Sequence, residues 1–92
     1  MGYRIAQEDL ERGGRIEYTR ELDTLERVED AIEDSLDKLG VVNSFEFSIE
    51  EDGKEFLVRQ FELQGDDGVE TSRLVVSATG ETEHWAEAWL AS

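Results

Sequence analysis

"SFEFSIEEDGKEFLVR", residues 44–59, decides the fold. Phe45, Phe47 and Ile49 alternate with Ser44, Glu46 and Ser48, the period of two that marks a strand with one apolar face. Asp52-Gly53 follows, a pair suited to a type I′ turn, which needs positive φ at both central residues. Placing Glu51 opposite Lys54 sets Ile49 against Phe56, Phe47 against Val58 and Glu46 against Arg59. Apolar and oppositely charged cross-strand pairs therefore fall into register together. An antiparallel hairpin is predicted.

The second strand of this hairpin is apolar on both faces: Phe56 and Val58 lie on one, Leu57, Phe61 and Leu63 on the other. A bulge near Arg59-Gln60 that re-aims the strand is the preferred expectation, ahead of a sheet covered on both sides. Leu57, Phe61 and Leu63, or the open edge of the sheet, are the expected routes to a homodimer.

Upstream, Leu25, Val28, Ile32, Leu36 and Leu39 recur every three or four residues, predicting a helix from Thr24 to Leu39 with one buried stripe. Asp23 is the expected N-cap, with Glu26 at the capping-box position, and Gly40 the expected left-handed residue after the helix. "RIEYTREL", residues 15–22, reads as a short strand, and residues 1–13 are weakly patterned. Downstream, "GDDG" (65–68) is a loop and "VETSRLVVSA" (69–78) a strand presenting Leu74, Val76 and Ala78. Thr79 and Gly80 are expected to open a final helix with Glu81 and Glu83 in its first turn and Trp85, Ala88 and Trp89 as its buried stripe.

These elements predict one α+β domain over residues 1–92, in the order (β)-α-β-β-β-α. Its antiparallel sheet would have three to four strands, with two helices packed on one face. The order resembles that of double-stranded-RNA-binding domains in topology alone, since no basic helix end or loop is present to meet phosphate.

Charge is the dominant compositional fact. Twenty-four Asp and Glu stand against nine Lys and Arg, a net of −15. Binding to nucleic acid or to an anionic membrane depends on neutralising phosphate with cations, so direct contact with either is not expected. A protein partner, if recognised through charge, would be basic. Seven of the nine cations are Arg and only Lys38 and Lys54 are Lys. That composition is similar to proteins of salt-in halophiles, where molar salt shortens the Debye length to about 3 Å. Glu outnumbers Asp, which fits that likeness less well than the scarcity of Lys. No Cys is present, which removes thiolate metal sites and thiol nucleophiles. The first residues carry no apolar run, and the reading is of a cytoplasmic protein with no membrane segment.

Reactive constellations are sparse. His84 is the single imidazole, near Glu81, Glu83 and Glu87, with no second His and no outside ligand visible in the sequence. Ser72 and Ser77 lack a nucleophile elbow, and no phosphate-cradling glycine motif occurs. Counting Gly53 as the sixth position of a calcium loop puts Arg59 last, where a glutamate is needed. No cofactor, metal or catalytic residue is assigned.

The remaining candidate is a face. At 100° per residue, Asp23, Glu26, Asp30, Glu33, Asp34 and Asp37 share an arc of about 100° opposite the buried stripe. They lie along about 21 Å of helix, one charge per roughly 4 Å, close to the spacing of phosphates along a nucleic-acid strand. Three readings follow. The first is a non-catalytic interaction or regulatory domain with an exterior suited to high salt. The second is a polyanion mimic that occupies the basic cleft of a nucleic-acid-binding protein. The third is a small metal-binding protein or enzyme using His84.

Overall fold

The computed structural model describes residues 2–17, 20–66, 68–80 and 84–92. Five strands and two helices run in the order β1 (Gly2–Asp9), β2 (Arg15–Glu17), α1 (Leu25–Lys38), β3 (Ser44–Glu51), β4 (Lys54–Gly65), β5 (Gly68–Thr79) and α2 (Trp85–Ala91). The strands form one antiparallel sheet in the spatial order β2-β1-β5-β4-β3. The class is α+β as expected, with five strands where three to four were predicted.

The hairpin register is the one read from residues 44–59. Glu51 pairs with Lys54, Ile49 with Phe56, Phe47 with Val58 and Glu46 with Arg59. Asp52 and Gly53 take φ of 52° and 76°, as a type I′ turn requires. The expected bulge is absent. One continuous register joins β3 to β4 and another joins β4 to β5 straight through Arg59 and Gln60. Strand β4 lies inside the sheet and is apolar on both sides, which removes the reason for a re-aiming residue.

The two faces differ in what covers them. Leu57 and Phe61 of β4, Leu74 and Val76 of β5 and Ile5 of β1 pack with Val28, Ile32 and Leu36 of α1 and with Trp85 and Ala86 of α2. Both helices thus share this face, and it holds the main core. Leu57 and Phe61 are buried there and Leu63 packs at its margin, so the expected homodimer surface made of these three is overturned.

Strand β1 is the element that residues 1–13 concealed. Its own alternation is weak, but eight consecutive pairs with β5 clamp it into the sheet beside the central strand. An Asx turn ends it: the Asp9 carboxylate accepts from the N–H groups of Glu11 and Arg12 at 2.9 and 3.1 Å, which holds its pKa below the ordinary value. The chain then returns through β2, of which only Arg15–Glu17 of the expected 15–22 strand is seen; Tyr18 and Thr19 lie outside the described residues. These two strands ahead of α1 join the same sheet and depart from the double-stranded-RNA-binding element order.

Helix α1 spans Leu25–Lys38, and its N-cap is Thr24 rather than Asp23. The Thr24 hydroxyl accepts from the Arg27 N–H at 3.2 Å. Threonine at this position places a compact acceptor over the third helical N–H, the same service expected of Asp23 one residue earlier. Gly40 takes φ 72° just past the C-cap, as predicted. Helix α2 begins only at Trp85, five residues after Gly80, and Glu81 and Glu83 lie outside the described residues. Trp85 and Ala86 are buried and Trp89 packs at the margin, whereas Ala88 is exposed. The buried stripe is therefore 85, 86 and 89.

Candidate functional site

Four features bear on function: the acidic arc, the Arg59 cluster, the His84 cluster and the sheet face opposite the helices. Asp23, Glu26, Asp30, Glu33, Asp34 and Asp37 are all exposed, as the helical period predicted. Exposed i,i+4 bridges join Arg27 to Asp23 at 3.4 Å and Lys38 to Asp34 at 3.0 Å. Such pairs contribute a few tenths of a kcal/mol each at low salt. Glu33 leaves the arc's solvent role in part, because it also reaches the sheet.

It does so through Arg59. This residue stands on the helix-covered face of β4, between Leu57 and Phe61, with its side chain only 11% exposed. Its Nε and Nη2 donate to Glu46 on β3 at 3.2 and 2.9 Å, the cross-strand pair expected from the register. Nη2 also donates to Glu29 at 2.8 Å and Nη1 to Glu33 at 2.9 Å, both on α1. Burial alone would lower the Arg59 pKa, but its hydrogen bonds to Glu46 and Glu33 and the nearby negative charge raise it above the ordinary value. Burial raises the Glu29 pKa, reinforced by the charge of Glu46 and only partly opposed by Arg59. Its Oε2 is buried with no hydrogen-bond partner among the described residues. Three carboxylates on one guanidinium form a clamp between helix and sheet. The sequence signal was an arginine set in the apolar row Leu57-x-Arg59-x-Phe61.

His84 has an outside neighbour that the sequence did not show. Glu55 of β4 and Glu87 of α2 place carboxylate oxygens 3.6 and 3.4 Å from the His84 Nδ1. The three ligand atoms lie within 4.8 Å of one another and could hold a divalent cation. Glu55 already has a structural task. Its Oε1 accepts from the Ala86 N–H at 2.6 Å and, more weakly, from that of Glu87 at 3.4 Å. His84, left-handed at φ 58°, stands at the N-cap of α2 and offers no side-chain cap, so Glu55 supplies it from the neighbouring strand. Ser72 is buried on the helix-covered face, opposite Phe61.

The fourth feature was not singled out as a site from sequence. On the sheet face opposite the helices, β3 presents Phe45, Phe47 and Ile49 and β4 presents Phe56 and Val58, by the observed pairing. Val75 of β5 and Ala6 of β1 continue the row. The rings of Phe45 and Phe47 stack with centroids 5.6 Å apart, and Phe45 is 58% exposed. The patch runs into an open groove of about 490 Å³ where Phe45 meets exposed Val42 and Val69. Among the described residues no helix covers this face.

Its charges nearly balance. By the strand registers, Arg4, Arg15, Lys54 and Arg73 face this side, together with Glu8, Glu17, Glu51 and Glu62. Glu21 also reaches this side, bridging to Arg4 over Gly2. Four of the nine cations thus stand on one sheet face beside five acids, and nearly all of the net charge of −15 belongs to the rest of the chain. Arg15 bridges to Glu8. Arg73, on the central strand, has its Nε buried without an acceptor among the described residues.

Among the described residues no helix is long and apolar enough to cross a membrane. Compared with protein-family models, with curated proteins and with solved structures, the chain has no significant match in any of the three.

Proposed function

We propose that the chain is a small, acidic, non-catalytic interaction domain whose contact surface is the open sheet face, with an exterior suited to high salt. The observation that carries this reading is the pairing of an aromatic patch that no described helix covers with a near-zero charge balance on a chain of net −15. An apolar surface rimmed by charge is the usual mark of a protein contact. In this reading the arc on α1 keeps the domain soluble and the Arg59 clamp fixes the helix so that the opposite face stays flat and free. Neither the His84 cluster nor the arc is assigned chemistry.

The test asks whether the aromatic patch is surface or second core. Replacing Phe45 and Phe47 together by Ser should lower stability by about 2 kcal/mol or less in chemical denaturation. Phe61→Ala, on the covered face, should lower it by about 3–5 kcal/mol. Equal losses would make the open face structural and sink the reading.

A second reading rests on the arc itself. All six of its acids are exposed along one helix, Glu33 while also bonding Arg59, and this suits mimicry of a nucleic-acid strand presented to a basic cleft. Salt separates the two. Capture of basic nucleic-acid-binding proteins in dilute buffer, released as salt rises, would favour mimicry. A contact through the nearly neutral sheet face should strengthen with salt.

A further inference from the structure

We infer that the open sheet face closes against the same face of a second copy of this chain, forming a two-fold dimer of stacked sheets. The inference rests on the reading of that face as a contact surface and specifies its occupant.

Charge singles out the second copy. Two molecules of net −15 repel one another through every other surface, above all through the arc on α1. The open face brings almost no net charge to the contact, with four cations beside five acids. This near balance allows each copy to answer the other's charges across an isologous interface, in which the same patch serves both partners. A basic partner would gain nothing here, since the excess of acids lies elsewhere.

The face also holds charges left unpaired among the described residues. Lys54 and Arg73 make no ion pair there, and Glu8, the cross-strand neighbour of Arg73, is engaged by Arg15. Carboxylates from a facing sheet would pair with these two cations. Glu51 and Glu62, on the outer strands of the same face, have the right charge and make no ion pair among the described residues.

Size permits the contact. Five strands about 4.8 Å apart and some eight residues long make a face of about 600 Å² in projection, before the relief of side chains is counted. Stable interfaces bury about 800 Å² per partner, so such a face, with the exposed groove beside Phe45, is of the right order. Two sheets packed face to face at about 10 Å would interleave the Phe45 and Phe47 rings, as the inner faces of a sandwich do.

The experiment is sedimentation equilibrium of the whole chain in dilute buffer and in molar KCl, beside the Phe45→Ser/Phe47→Ser variant, with circular dichroism on both. The expected result is a dimer that tightens as salt screens repulsion between the copies. In the variant, dimer affinity should fall at least tenfold while the fold is kept. A wild-type chain that stays monomeric at high concentration in both buffers overturns the second copy. If the variant remains folded in that case, the contact surface itself still stands for another partner. A dimer that persists unchanged in a folded variant places the contact elsewhere and overturns the inference. A variant that unfolds shows the patch to be core and overturns both.

Discussion

At the scale of single residues, Arg59 does more than any other charged side chain to define this molecule. It is nearly buried, and three carboxylates converge on it from β3 and α1. Removing a guanidinium from such a cluster strands its partners without a counter-charge, and breaking a buried pair from one side costs about 3–5 kcal/mol. Arg59→Met should therefore destabilise by about that amount in chemical denaturation, although Met fills similar space. A loss below about 1 kcal/mol would show that solvent reaches the cluster freely.

Glu29 behaves in the opposite sense. Burial raises its pKa in the folded state, so the native protein binds this proton more tightly than the unfolded chain does. The stability linked to that proton is fully present below the unfolded value and is lost as pH rises through the raised folded one. Glu29→Gln keeps an oxygen for Arg59 and puts an amide where Oε2 now lacks a partner. Its melting temperature relative to wild type should be more favourable at about pH 7 than at about pH 5. A difference independent of pH would place the titrating group elsewhere.

At the scale of elements, α2 depends on a residue outside itself. A seven-residue helix is too short to be stable alone, and its left-handed His84 provides no side-chain cap. Glu55 caps it from β4, and the Trp85 indole donates to the Glu55 carbonyl at 3.3 Å. Glu55→Ala should destabilise by about 1–2 kcal/mol, the usual loss for a cap, with the Trp fluorescence moving to the red as Trp85 loosens. His84→Ala should leave both nearly unchanged, because His84 caps nothing. Equal effects of the two changes would point to the histidine as the organising group.

These elements also show what can be read from a sequence and what cannot. The β3–β4 hairpin was legible down to its register because turn chemistry, alternation and charge pairs are all local and agree. The stripe of α1 was legible for the same reason, its period being written within fourteen residues. Strand β1 was not, because Gly2–Asp9 is made a strand by β5, some seventy residues away. The outside member of the His84 cluster was hidden likewise, since Glu55 meets His84 only once β4 and α2 are docked. The arc on α1 was placed correctly on the solvent side, but the open sheet face was missed. Phe45 and Phe47 were recognised as one face of a strand, and nothing in their spacing told which face the helices would choose. The choice is made by β5 and β1: Leu74, Val76 and Ile5 join Leu57 and Phe61 on the covered face, whereas Arg73, Arg4 and Glu8 stand on the other.

For the whole molecule, the decisive quantity is a charge density spread unevenly over a small body. The radius of gyration is 13.1 Å and the long axis 40 Å, yet the chain carries −15. Within the arc, Glu26 with Asp30, Asp30 with Asp34 and Glu33 with Asp37 are like-charged neighbours one turn apart. Each such pair costs about 0.2–0.5 kcal/mol at low ionic strength. Their sum is about 1 kcal/mol, and longer-range repulsion between the arc and the other exposed carboxylates adds to it. Salt removes these costs as the Debye length shrinks from about 30 Å at 0.01 M to 3 Å at 1 M. It also weakens the exposed Arg27–Asp23 and Lys38–Asp34 bridges, but these contribute no more than a few tenths each, and the buried Arg59 clamp is screened least. Repulsion wins the comparison, so stability should rise with salt. One kcal/mol shifts the melting temperature of a domain this size by about 4–8 °C, and a gain of that order is expected between dilute buffer and molar KCl. Sodium sulfate would strengthen apolar burial as well as screen, so KCl is the cleaner choice. Neutralising Asp30 and Asp34 to Asn should shrink the gain by removing the central like-charged pair. A melting temperature that stays flat or falls with KCl would mean that the acids on α1 are already held by cations.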